Sequence, residues 1–160
     1  MKKAVALFAL LALVGCDEDD VKDILQGKTT VFAVSDVTVK DSDTVSDGNY
    51  KVSDLSPALQ ALIPEGFPDG TKADLVNAGI GIDGTSCGQI VITDGLCFEK
   101  DNTNSCVPSE IKELGLAVYK IDLSDVRTAA NLDFYPTLAA ELGGLYVQID
   151  YKDVSCPTEN

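Results

Sequence analysis

The stretch Gln89-Ile90-Val91-Ile92-Thr93-Asp94-Gly95-Leu96-Cys97-Phe98-Glu99 decides the class of fold. Two apolar runs flank an Asp-Gly pair, the commonest signal for a tight β-hairpin, because its glycine takes the positive φ the turn requires. With Asp94-Gly95 as the turn, Ile92 lies opposite Cys97 and Cys87 lies opposite Asn102. Cys87 and Cys97 are then several residues out of register, and a disulfide needs closely approaching Cα atoms. This register favours a bond between Cys97 and Cys106, closing the polar loop over residues 100–105. Cys87 is left to Cys156, which ties down the C-terminus.

Working outward, residues 29–40 also alternate as a strand. Val31, Ala33, Val37 and Val39 are expected on one face, with Asp36, Thr38 and Lys40 on the other. Phe32 and Val34 interrupt the polar side, so the start of this strand reads as buried on both faces. An acidic turn region follows over residues 41–49, and a short strand over 50–52 returns from it. Ser56-Pro57 is a helix start, with Leu59, Leu62 and Ile63 on one face. Thr71-Lys72-Ala73-Asp74 resembles a capping box, opening a helix that Gly79 closes. Strands are expected over 114–123 and 145–151, with short helices over 124–130 and 136–142. Strands joined by turns, with short helices between them, predict a mainly β fold: an antiparallel sandwich or barrel with a few short helices and two disulfides.

The N-terminus is an address. Lys2 and Lys3 precede an apolar run over residues 4–14, the pattern of a secretory signal peptide. The run is too short to span a bilayer, which takes about 20 helical residues. Leu13-Val14-Gly15-Cys16 resembles the lipobox of bacterial lipoproteins. That resemblance covers the first sixteen residues. It implies diacylglyceryl attachment to the Cys16 thiol and cleavage after Gly15. Asp17-Glu18-Asp19-Asp20 then begins an acidic tether. The organisation expected is a signal peptide over 1–15, an acylated cysteine and tether over 16–28, and one β-rich globular domain over 29–160. The chain is expected to be exported and lipid-anchored in a bacterial envelope. Asp17 and the acidic cluster fit inner-membrane retention, surface export or a plain solvated tether, and these three stay open.

Composition narrows the chemistry. Loss of Lys2 and Lys3 with the signal takes the formal charge from −14 to −16. So acidic a surface repels nucleic acid and anionic headgroups, so the bilayer is reached through the anchor. The chain has no histidine, which removes the Ser-His-Asp, Cys-His and His-metal chemistries. Besides Cys16, four cysteines remain, and an even number in an exported chain reads as two disulfides.

Three motif fragments fail on context. Gly79-Ile80-Gly81-Ile82-Asp83-Gly84 spells G-x-G-x-x-G but follows a helix and precedes a strand, the reverse of a dinucleotide site. Gly27-Lys28-Thr29 lacks the upstream glycine of a phosphate loop. Ser109-Glu110-Ile111-Lys112 spells S-x-x-K without a K-T-G partner, and Ser109 reads better as a helix cap. Asp36, Asp41, Asp43 and Asp47 form a candidate calcium cluster, since calcium takes six to eight oxygen ligands. The cluster departs from an EF-hand at Val45 and lacks the closing glutamate.

The leading expectation is a non-catalytic envelope lipoprotein whose β-domain binds an envelope protein or glycan, or serves a structural role, without a cofactor. The alternatives are a calcium-assisted adhesion or ligand-binding module and a small carboxylate-based hydrolase.

Overall fold

The computed structural model describes residues 22–23, 25–100, 103–137 and 151–157. The signal segment, Cys16, residues 138–142 of the helix expected over 136–142 and most of the strand expected over 145–151 lie outside them. The elements are β1 (Lys28–Val39), β2 (Gly48–Lys51), α1 (Pro57–Gln60), α2 (Lys72–Asn77), β3 (Gly84–Val91), β4 (Cys97–Lys100), β5 (Thr103–Cys106), β6 (Ile111–Asp122), α3 (Val126–Ala130), β7 (Tyr135–Pro136) and β8 (Lys152–Val154). One antiparallel sheet has the order β2-β1-β6-β3-β8, with β7 also pairing β1; β4 and β5 form a second, two-stranded sheet. The architecture is mainly β and antiparallel, with short helices and two disulfides, Cys87–Cys156 and Cys97–Cys106.

The long strands β1 and β6 form the spine of the large sheet. Their pairing shifts register between Val34 and Asp36. Ser35 is the extra residue of a β-bulge, and one extra residue reverses the alternation of every side chain after it. Val31 and Ala33 pack with Leu75, Ile80, Tyr119, Ile121, Val126, Ala129 and Phe134. Val37 and Val39 pack instead with Phe32 and Val34, in the cluster of Leu59, Phe67, Phe98, Leu114, Leu116 and Tyr135. The single shared face expected for Val31, Ala33, Val37 and Val39 is therefore split in two. The expectation that β1 begins buried on both faces holds, since residues 31–34 are all buried.

The hairpin expected at Asp94-Gly95 does not form as a strand pair. Gly95 does take the positive φ of 71°, but β3 is flanked by β6 and β8, and β4 folds back on β5. Both edges of β3 are occupied, while burial of Phe98 against Phe67 and Tyr135 draws β4 to the other side of the core. The disulfide pairing survives the loss of its premise. Cys97 lies directly opposite Cys106 in the β4–β5 register, with Cα atoms 3.8 Å apart. The register of Cys87 with Val154 brings Cys156 within 5.1 Å of Cys87, Cα to Cα.

Local signals account for most of the remaining elements. Ser56 accepts the Leu59 N–H to cap α1, although the helix ends at Gln60. The Thr71–Asp74 capping box is complete: Asp74 N–H donates to Thr71 Oγ1, and Asp74 Oδ2 accepts from Thr71 N–H at 2.8 Å. The hydrogen bonds from the Thr71 hydroxyl and backbone hold the Asp74 carboxyl below its ordinary range. Gly79, with φ 79°, closes this helix as expected.

Two expected helix starts are absent. Ser109 caps no helix but sits in the turn entering β6, where its carbonyl accepts from Lys112 Nζ at 2.6 Å. The period-two burial of Leu114, Leu116 and Val118 makes this segment a strand. Pro136 lies in β7 opposite Val31 rather than opening a helix, and Thr137 N–H bonds to Thr30 O at 3.0 Å. An edge position suits a proline, which has no N–H to donate.

Candidate functional site

The large sheet is covered unequally. One face carries the cluster around Phe32, Leu114 and Phe98. On the other, among the described residues, α2 and α3 cover the half where β1 begins and β6 ends, through Leu75, Val126 and Ala129. Beyond the bulge this second face opens into a shallow cleft of about 220 Å³. Ser35, Asp36 and Thr38 of β1, Asn49 of β2, Gln89 of β3, and Glu113 and Gly115 of β6 line it. The Cys87–Cys156 disulfide closes one side, where Cys87, Val154, Ser155 and Pro157 complete the wall.

Three features build the cleft. The bulge at Ser35 turns Asp36 and Thr38 onto the open face rather than into the core. Gly115 lies across the register from Asp36, and a Cβ there would collide with the Asp36 carboxylate. Glycine thus lets the carboxylate rest on the sheet. The side chains then fix one another. Asp36 Oδ2 accepts from Ser35 Oγ at 2.9 Å and Oδ1 from Asn49 Nδ2 at 3.0 Å. Gln89 Nε2 donates to Glu113 Oε2 at 3.0 Å.

This pattern sets what the cleft can recognise. Each amide turns its NH₂ toward a carboxylate, because only the nitrogen end can donate. Asn49 Nδ2 also donates to Thr38 Oγ1 at 3.4 Å, so the cleft is lined by amide, carboxylate and hydroxyl oxygens, all of which accept. The surface is rich in acceptors and suited to a ligand that donates hydrogen bonds. Lys51 lies across the register from Asp36 and Lys152 from Gln89, both exposed, so cations stand at the rim.

The four aspartates singled out in the sequence are not gathered into one centre. Asp36 belongs to the cleft. Asp41, with φ 59°, donates its backbone N–H to Asp47 Oδ1 at 3.0 Å, so Asp47 serves the turn between β1 and β2. Asp43 is exposed on that turn. Among the described residues, no three His, Cys, Asp or Glu side chains converge to hold a metal ion. Thr38, Asn49, Gln89, Glu113 and Gly115 carry no sequence motif. They meet only because four separate strands pair, so spacing along the chain could not reveal them.

At the opposite end of the sheet Lys28 bridges two acids, 2.8 Å from Asp122 Oδ1 and 2.5 Å from Asp83 Oδ2. Its hydrogen bonds to Asp122 and then Asp83 hold the ammonium above the ordinary lysine range. Lys120 pairs with Asp23 at 2.6 Å, and Leu123 N–H bonds to Gly27 O at 2.8 Å. Asp23, Gly27 and Lys28, which fall within the tether expected over 16–28, are thus tied to the sheet.

No protein-family model matches the chain, and comparison with curated proteins and with solved structures finds no relative.

Proposed function

We propose that this protein is a lipid-anchored envelope binding module without catalytic activity, and that the open half of the large sheet is its ligand-binding face. The lipobox-like Leu13-Val14-Gly15-Cys16 supports the anchor, and the acceptor-rich cleft between Asp36 and Glu113 carries the binding reading. A ligand bearing many hydroxyl or amino groups satisfies such a surface, and a glycan is the envelope component that best supplies them. Bidentate acceptance by carboxylates gives such contacts both strength and orientation. The absence of histidine, and the use of both carboxylates as acceptors for neighbouring side chains, favour recognition over hydrolysis.

The test is an array of immobilised oligosaccharides, amino sugars included, probed with the full-length protein and with Asp36→Asn and Glu113→Gln. Retention on a defined subset, reduced at least tenfold by either substitution, is the expected result. Uniform failure to bind any of them with the fold intact contradicts the glycan reading. Release of a cleaved sugar, lost in either variant, would replace binding with hydrolysis.

A further inference from the structure

We infer that the end of the sheet where β1 begins is the membrane-proximal end of the molecule, so that the polar cleft, on one face of the sheet, is held at the end far from the bilayer and meets its ligand there. The inference rests on the lipid anchor at Cys16. It is carried by the place where the chain leaves the folded body. Asp23 is pinned by Lys120, Gly27 by Leu123, and Lys28 by Asp83 and Asp122, all at one end of the sheet. Six peptide steps separate Cys16 from Lys22, a reach of about 20 Å at most. That end therefore cannot stand far from the headgroups.

β1 then runs the length of the sheet. From Lys28 to Thr38 it advances about 33 Å at the usual rise of a strand, and the cleft lies at the far end of that run. Two properties hold the molecule upright. The formal charge of −14, made more negative by loss of the signal lysines, repels anionic headgroups from its sides. At the proximal end, by contrast, Lys28 and Lys120 offset two of the three charges of Asp23, Asp83 and Asp122, and Leu25 and Val76 project as exposed apolar side chains.

The test is energy transfer from a dye on the full-length acylated protein to an acceptor on the headgroups of phosphatidylethanolamine–phosphatidylglycerol vesicles. The donor is attached through a bio-orthogonal residue at exposed Val76 or exposed Thr44, and Cys16→Ser serves as the unanchored control. Transfer several-fold greater from position 76 than from position 44 is expected. Equal transfer, or the reverse order, from vesicle-bound protein overturns the orientation while leaving the anchor standing. Wild-type protein that leaves the vesicles as Cys16→Ser does overturns the anchor, and the orientation with it.

Discussion

At the scale of single residues, the most informative position outside the cleft is Asp74. Its carboxylate accepts from the Thr71 hydroxyl at 2.6 Å and from the Thr71 N–H, and both bonds favour the ionised form. A carboxyl whose folded value lies below its unfolded one stabilises the protein above the unfolded value, about pH 4. That contribution is lost as pH falls through the folded value. Asp74→Asn should therefore lower the unfolding midpoint at pH 7, and the gap from wild type should close in acid. Urea titrations of both proteins from pH 7 to pH 2 check this; a gap that stays constant would remove the charge from the explanation. Thr71→Ala, which deletes the other half of the box, should cost about 1 kcal/mol at neutral pH. Lys28 has the opposite sign. Its raised value means that its contribution is complete through the neutral range and lost only in strong alkali.

At the scale of elements, the bulge at Ser35 decides which side of β1 meets the core. Deleting Ser35 would make Val34–Leu116 and Asp36–Gly115 consecutive pairs of one regular ladder, with Val37 and Val39, both fully buried, still facing the core. The expected result is a protein that still unfolds cooperatively, and Ser35→Ala should shift stability by less than about 0.5 kcal/mol, as other surface changes do. A deletion variant that loses its cooperative transition would mean that the fold needs the bulge itself and not only the faces it sets. The bulge also marks how far the sequence could be read. Local signals placed the caps at Ser56 and Thr71, the stop at Gly79 and the double burial at Phe32 and Val34, because each is written within a few residues. The reversal at Ser35 was not legible, since nothing local distinguishes Ser35-Asp36 from ordinary alternation. The partner of β3 was not legible either. Asp94-Gly95 points to a hairpin, but β6 and β8 claim both edges, and their approach depends on residues far along the chain. For the same reason Asp36 and Cys87 are the cleft residues the sequence singles out, and the strands that bring Asn49, Gln89 and Glu113 beside them are legible only once paired.

The two disulfides also belong to this scale. They close loops of very different length, with sequence separations of 69 for Cys87–Cys156 and 9 for Cys97–Cys106. On the chain-entropy argument the first contributes about 4 kcal/mol and the second about 2.5 kcal/mol. Cys87→Ser/Cys156→Ser should lose more stability than Cys97→Ser/Cys106→Ser, and chemical denaturation of the two double variants checks the order. The reverse order would show that the β4–β5 hairpin depends on its disulfide more than on the burial of Phe98.

At the scale of the whole molecule, the two ends of the sheet have different tasks. The end near Lys28 receives the chain from the N-terminus and is knitted by ion pairs. The other carries the cleft on one sheet face, lined with acceptors. Everything proposed about location depends on Cys16. The most direct measurement is metabolic labelling with radioactive palmitate in bacterial cells producing the full chain or Cys16→Ser, followed by membrane fractionation. Label in the wild-type band and its recovery with membranes, both abolished by Cys16→Ser, is the result expected. Wild-type protein that carries no label and fractionates with the soluble proteins would contradict the account.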